Sequence, residues 1–217
     1  MAKREERSVA IPLGPGSLAL EGLYAAGEDA EAGGALIAPP HPLYAGSMES
    51  PVVGEVAYAC ARAGLATLRF NWRGVGASAG ETSGDETVAD EDYAAALEHL
   101  AGTVAGPLVA CGYSFGAAAA LRAAVRSPRV RRAILVAPPP ALLAPEAFST
   151  LRRALVVTGD ADGFAPPAAL EPLVARAPGA SLHVVPGADH FFTVGLAEIG
   201  RAAALWLGVE GVLARGA

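Results

Sequence analysis

From Ala35 to Leu207 the chain alternates short, unbroken apolar runs with stretches of helical periodicity, and this rhythm restricts its fold more tightly than anything else in it. The runs lie at 35–39 (ALIAP), 65–70 (LATLRF), 107–112 (PLVACG), 132–137 (RAILVA), 154–159 (ALVVTG) and 181–186 (SLHVVP). Helical patterns cover 48–63, 88–100, 117–125, 168–175 and 196–207. A strand that is apolar at every position has no face left for water, so such a sheet must be covered on both sides. Parallel strands also need long crossovers, which the helical stretches supply. Ahead of this pattern, 8–11 and 18–25 read as β-type segments around the turn LGPG, an antiparallel hairpin at one sheet edge. Asp85, followed by Glu86 and Thr87, offers a cap and first-turn acid for the second helix, while Pro107 and Pro128 mark returns from helix to strand. The expected architecture is α/β: a mostly parallel sheet of about eight strands with helices on both faces. The Pro/Ala-rich segment 137–152 has room for one short helix, so the cap over the sheet is minimal.

A length of 217 residues suits one domain, read as 8–217. The first seven residues, MAKREER, are charged and no apolar stretch follows them, so 1–7 reads as a flexible tail and not as a secretory signal or membrane anchor. The apolar stretch 117–125 is interrupted by Arg122 and is too short to span a bilayer. A net charge of −6 with 18% charged residues supplies no basic stripe for phosphates, which argues against nucleic acid as a partner. Cys60 and Cys111 read as small buried apolar residues in a reducing compartment, and a cytoplasmic protein is expected. The partner class is a small molecule, with no membrane association, for a monomer or homodimer.

The pentapeptide Gly112-Tyr113-Ser114-Phe115-Gly116 reads G-x-S-x-G where the run 107–112 gives way to a helical pattern. That context is a nucleophile elbow: a turn so tight that the serine backbone is strained, the flanking glycines make room, and the hydroxyl projects above the sheet edge. A serine hydroxyl needs a base within hydrogen-bond reach and a carboxylate to orient that base. Both follow downstream at strand ends, in Asp160-Ala161-Asp162-Gly163 and in Gly187-Ala188-Asp189-His190. The order Ser114, Asp162, His190 agrees with that of sheet-based hydrolases. His183 falls in a strand, His99 on a helix and His41 after the first of the six runs, so His190 is the candidate base. Asp162 lies deeper in its loop than Asp160 and is preferred as the acid, with Asp160 the alternative; Asp189 reads as a turn residue.

An oxyanion formed during acyl transfer needs backbone donors. Phe115 offers one amide, and His41-Pro42-Leu43-Tyr44 offers Leu43 first and Tyr44 next, because proline has no N–H. His41 either braces that loop or is incidental. Tyr44, Met48, Trp72, Phe115, Phe164, Phe191 and Phe192 are candidates for the walls of an apolar substrate pocket. The glycines of 74–80 resemble a dinucleotide loop, but no helix follows them directly to receive phosphates.

The segments PPHPLYAGSM (39–48), FNWRGVGASAG (70–80), GYSFG (112–116), GDADGFAP (159–166) and GADHFF (187–192) together resemble the small bacterial α/β-hydrolases with little or no cap, related to dienelactone hydrolase and the carboxylesterases. The resemblance spans nearly the whole chain. It implies an α/β-hydrolase fold, Ser114 as nucleophile, Asp162 as acid, His190 as base, and the amides of Leu43 and Phe115 as oxyanion donors. It calls for no metal and no cofactor. Dienelactone hydrolases proper carry cysteine where this chain has Ser114, which points away from that activity and toward a small ester or thioester substrate. Thioesterase, lactonase and peptidase chemistry use the same constellation, and a silent hydrolase fold kept for binding is the remaining alternative. If His190 is the base, kcat/KM rises with pH around an ordinary histidine value of about 6.5, and a profile flat from about pH 5 to about pH 9 contradicts the assignment.

Overall fold

The structure, a computed structural model, describes residues 5–14, 16, 18–150 and 153–208. Its strands are β1 (Glu6–Pro12), β2 (Ala19–Ala25), β3 (Gly34–Ala38), β4 (Ala66–Phe70), β5 (Leu108–Tyr113), β6 (Val130–Val136), β7 (Ala154–Gly159) and β8 (Ala180–Val185). They form one eight-stranded sheet in the order β1-β2-β4-β3-β5-β6-β7-β8. The pairs β1–β2 and β2–β4 are antiparallel and all the others parallel. Every residue of β3, β5 and β7 is buried. Since side chains alternate between the two faces, the sheet centre is covered on both sides.

The covering helices are α1 (Pro51–Arg62), α2 (Glu86–Ala101), α3 (Phe115–Arg126), α4 (Pro145–Thr150), α5 (Pro167–Val174) and α6 (Leu196–Leu207). One group pairs α1 with α6; the other runs from α2 through α3 and α4 to α5. Asp85 caps α2 as expected, its Oδ1 accepting from the amides of Thr87 at 2.7 Å and Val88 at 3.2 Å. The first helix starts later than its pattern suggested. Met48 donates its amide to Asn71 Oδ1 at 2.8 Å, and Pro51, whose missing N–H is no loss in a first turn, opens the helix. Among the described residues between β6 and β7 lie a 3₁₀ turn, Pro140–Leu142, and the six-residue α4.

Two expectations about the ends and the cysteines meet different outcomes. The strand β1 begins at Glu6, so Glu6 and Arg7 are paired residues and do not belong to a tail: Glu6 stands opposite Ala25 and Arg7 opposite Tyr24. Arg69 holds Glu6 in register, its Nε and one terminal nitrogen donating to the two carboxylate oxygens at 3.0 and 2.8 Å. A charged pair can serve in an edge strand because one of its faces stays wet. Residues 1–4 lie outside the described residues. Cys60 and Cys111 are both buried and unlinked.

The return from α3 into β6 is fastened by a single side chain that periodicity does not reveal. Arg129 donates to the carbonyls of Ala101 (2.7 Å), Val104 (2.8 Å), Ala105 (3.3 Å) and Gly106 (2.9 Å), closing the turn between α2 and β5. A guanidinium can fork to several acceptors where an ammonium cannot. Arg129→Ala is expected to lower stability by about 2–3 kcal/mol, roughly 4–10 °C in Tm, with Arg129→Lys recovering only part; thermal unfolding followed by circular dichroism checks this.

Candidate active site

At the end of β5 the chain turns directly into α3, and Ser114 sits on the corner with φ 53° and ψ −118°. A left-handed φ at a residue with a Cβ costs on the order of 1–3 kcal/mol and survives only where its surroundings enforce it. Here the Ser114 amide donates to Val136 O at 2.8 Å and its carbonyl accepts from Ala117 at 2.9 Å. The two flanking glycines permit the approach. A Cβ on Gly112 would strike the carbonyl of Gly116, and one on Gly116 would strike the carbonyls of Pro39 and Ala38 at the end of β3. The elbow is thus wedged between β3, β5 and β6 with no space for a methyl group.

Two loops, after β7 and after β8, bring the other side chains to it. Ser114 Oγ lies 3.0 Å from His190 Nε2. On the far side of the ring, His190 Nδ1 lies 2.8 Å from Asp162 Oδ2 and 3.0 Å from Oδ1. Asp162 is 2% exposed, so its charge is met by protein donors and not by water. Burial by itself pushes the Asp162 carboxyl upward. The hydrogen bond from His190, the amides of Ala165 and Phe164 and the charge of His190 outweigh that, and its pKa ends below the ordinary aspartate value. Those amides donate to Oδ1 at 2.7 and 2.8 Å, and Thr158 Oγ1 pins the same loop by donating to Ala165 O at 2.6 Å. With Nδ1–H given to Asp162, the imidazole turns an unprotonated Nε2 toward the serine hydroxyl, the arrangement that can accept its proton.

The geometry separates the two acids of the 160–163 loop. Asp160 Oδ1 accepts from the Gly187 amide at 2.7 Å, which ties its loop to the loop of His190. Asp189 turns away from the ring and closes a turn, accepting from the Thr193 amide at 3.0 Å. The remaining histidines lie apart from Ser114 Oγ in strand (His183) or helix (His99), while His41 lies on the adjacent loop.

That adjacent loop departs from the simple expectation of a waiting donor. His41 is the cap of a 3₁₀ turn, Pro42–Tyr44, and its Nδ1 accepts from the Leu43 amide at 3.2 Å. The Tyr44 amide donates to His41 O at 3.1 Å. The donor expected for an oxyanion is therefore engaged by a ring two residues earlier, a contact that residue spacing gives no sign of. Burial lowers the pKa of His41, which agrees with a neutral ring accepting at Nδ1. The ring is packed 4.6 Å from Phe115 and 4.9 Å from Tyr44, centroid to centroid. Among the described residues the Phe115 amide, the first of α3, has no backbone acceptor outside the helix.

The candidate wall residues divide into two sets. Met48 and Trp72 are 3% and 2% exposed and belong to the packed interior, as do Phe115 and Phe192. Trp72 supports the His41 loop from beneath: its Nε1–H is shared between the carbonyls of Pro39 (3.2 Å) and Pro40 (3.0 Å), and its ring meets Phe115 edge-on. A large aromatic residue at a strand end reads the same whether it lines a pocket or props a loop, so the sequence alone leaves this open. Leu43, Tyr44, Phe164 and Phe191 are exposed. Phe164 and Phe191 flank the His190 ring at 4.9 and 5.7 Å, while Leu43 and Tyr44 are exposed on the loop of His41, whose ring packs on Phe115 beside Ser114. The glycine-rich segment 74–80 is a turn folded on the Glu21 carboxylate, which accepts from Asn71 Nδ2 at 2.9 Å and the Ala77 amide at 2.8 Å.

Comparison with known proteins agrees with this architecture. A family model described as serine aminopeptidase, S33, matches residues 46–154. An uncharacterized protein of Rickettsia prowazekii (strain Madrid E) is 32% identical over 196 residues, covering 84% of this chain and 82% of that one. An α/β serine hydrolase without lid from Xanthomonas campestris is 27% identical, with 95% of each chain covered and a TM-score of 0.82. Dienelactone hydrolase from Anabaena variabilis shares the fold at 24% identity, covering 94% of this chain and 97% of that one, with a TM-score of 0.78. No helix among the described residues is long and apolar enough to cross a membrane.

The lowered pKa of Asp162 makes its contribution to stability depend on pH. A depressed folded-state value means the stabilisation is complete above the ordinary aspartate value of 3.8 and is lost as pH falls through the lower folded one. Asp162→Asn should therefore melt on the order of 3–6 °C below the parent at about pH 7, with the gap closing as pH drops toward about 3; paired melting curves across that range check it.

Proposed function

The chain belongs to the α/β serine hydrolases, in the family described as serine aminopeptidase S33, and on that premise we propose that it is a serine esterase cleaving small carboxylic esters through an acyl-enzyme on Ser114. One observation carries the proposal: an unbroken line of contacts from Asp162 through both ring nitrogens of His190 to Ser114 Oγ, at 2.8 and 3.0 Å, on a strained elbow.

In the proposed reaction Ser114 Oγ attacks the ester carbonyl carbon while its proton passes to His190 Nε2, and the imidazolium so formed is stabilised by Asp162. The carbonyl π pair moves onto oxygen, and the Phe115 amide at the N-terminus of α3 receives the resulting anion. Leu43 is the second donor. An oxyanion accepts a charge-assisted bond roughly twice as strong as that of a neutral acceptor, enough to draw the Leu43 N–H from its 3.2 Å bond with His41. One such donor is worth about 3 kcal/mol of transition-state stabilisation. The tetrahedral species collapses as His190 returns the proton to the departing alcohol. Water then repeats the sequence on the acyl-enzyme, releasing the acid and restoring Ser114.

The exposed apolar side chains of Leu43, Tyr44, Phe164 and Phe191 on the loops of His41, Asp162 and His190 favour an apolar acyl or alcohol group, and the absence of a large insertion between β6 and β7 favours an open site. Short activated esters such as p-nitrophenyl acetate and butyrate are the expected assay substrates, with little turnover of long-chain lipids. Thioesters and lactones present the same carbonyl. The description of the matching family supports a second reading, hydrolysis of amino-terminal peptide bonds. We favour esters because the acids on the two loops are already bound, Asp162 by His190, Asp160 by the Gly187 amide and Asp189 by the Thr193 amide, while apolar rings flank His190.

Treatment of the purified protein with a fluorophosphonate should place a single adduct on Ser114, located by mass spectrometry and missing in Ser114→Ala. That variant should also lose ester hydrolysis by a factor of roughly 10⁴ or more. A folded parent protein that takes no adduct would overturn the proposal in favour of a binding role, and faster turnover of amino-acid p-nitroanilides than of p-nitrophenyl esters would favour the peptidase reading.

A further inference from the structure

We propose that Tyr113 is a positioning residue for the hydrolysis, its phenolic O–H donating to the main-chain carbonyl of His190 and so setting the stand-off between the imidazole and Ser114. The proposal rests on the reading that Ser114 and His190 react as a pair. Tyr113 O–H donates to His190 O at 2.8 Å, and Ser114 Oγ lies 3.0 Å from His190 Nε2. Two consecutive residues at the end of β5 therefore grip the two ends of one histidine, residue 113 its backbone and residue 114 its ring. These contacts close a ring of atoms whose base lies in the sheet: Tyr113 pairs with Val136 in the parallel ladder, and the Ser114 amide donates to Val136 O at 2.8 Å.

Apart from the Asp162 contact to the ring, the other bonds of the histidine loop hold its flanks. Ala188 O accepts from the Ala161 amide at 3.0 Å, Asp160 Oδ1 holds the Gly187 amide, and Asp189 accepts from Phe192 and Thr193 on the far side. Between those anchors, the Tyr113 hydroxyl reaches His190 itself. The ring that carries it is fixed in turn. Tyr113 is 5% exposed, and its ring packs at 6.4 Å edge-on to Phe192, a buried residue in the left-handed region at φ 52°. Burial, with the charges of Asp162 and Asp189 adding to it, pushes the Tyr113 hydroxyl up to about 12, so it remains a donor wherever the enzyme is assayed. A proton relay tolerates little misplacement, and a shift of about 1 Å can cost up to about 100-fold in rate. A strut from the nucleophile's own neighbour couples the position of the base to that of the nucleophile, so that motion of the loop does not open the gap between them.

The test is Tyr113→Phe, which keeps the ring and deletes the donor, measured beside the parent protein and Ser114→Ala. The expected result is phosphonylation of Ser114 slowed about 5–20-fold and kcat for p-nitrophenyl acetate reduced by a similar factor, with KM within about twofold. Hydrogen–deuterium exchange should quicken in 187–195 and remain unchanged in β5 and β6. The proposal is overturned if the folded variant reacts within about twofold of the parent, if KM rises while kcat holds, or if exchange quickens equally across the sheet. Loss of cooperative melting in the Phe variant also overturns it, since the hydroxyl would then support the fold at large. A parent protein that takes no phosphonate adduct would instead refute the hydrolase reading on which the inference stands, so the two failures are distinguishable.

Discussion

The backbone of Ser114 is held in a conformation that a residue with a side chain avoids, and the site is built around the contacts that enforce it. Gly112 and Gly116 allow β3, β5 and the first turn of α3 to approach so closely that neither can carry a methyl group. That closeness sets Ser114 on the corner at the sheet edge, and it makes the Phe115 amide the first of a helix. It also sets Tyr113 beneath the loop of His190. The hydroxyl of Ser114, the helix-opening amide of Phe115 and the loop contact of Tyr113 all arise from one turn, which is why they occur at three adjacent residues.

Around the turn, the loops are held by polar contacts of their own. Trp72 props the loop of His41 through Pro39 and Pro40. Asn71, Glu21 and Ser78 fasten the segment after β4, where Ser78 Oγ donates to Asn71 O at 2.8 Å and accepts from the Glu21 amide at 2.9 Å. Asp160 joins the acid loop to the histidine loop. The acid itself is held by two amides and a histidine, contacts strong enough to keep its pKa low despite burial. Each loop at the site is thus tied to another element and not only to its own ends.

Periodicity and residue order make much of this legible in the sequence. Unbroken apolar runs demand a sheet buried on both faces, and the strands fall on those runs and on the hairpin, apart from the start of β1. Ser114, Asp162 and His190 are brought together because each follows a strand of one parallel sheet, so that all three reach the same edge. What was illegible depends on which side chain meets which backbone across the fold. The bond from Leu43 to His41, the forked Arg129, the support given by Trp72 and the reach of Tyr113 to His190 all join groups whose encounter no spacing encodes. The start of β1 was missed for a related reason. Glu6 and Arg7 look like a solvated tail until Arg69 and Tyr24 are set beside them, Arg7 lying 5.0 Å over the Tyr24 ring.

The most direct measurement is a crystal structure of the protein after reaction with a small phosphonate, whose tetrahedral phosphorus mimics the proposed intermediate. The account predicts phosphorus bonded to Ser114 Oγ, His190 still bridging Asp162 and the adduct, and the phosphoryl oxygen within hydrogen-bond distance of the Phe115 amide and of a Leu43 amide drawn away from His41. Phosphorus on another residue, or a phosphoryl oxygen facing solvent while Leu43 stays bound to His41, would contradict it.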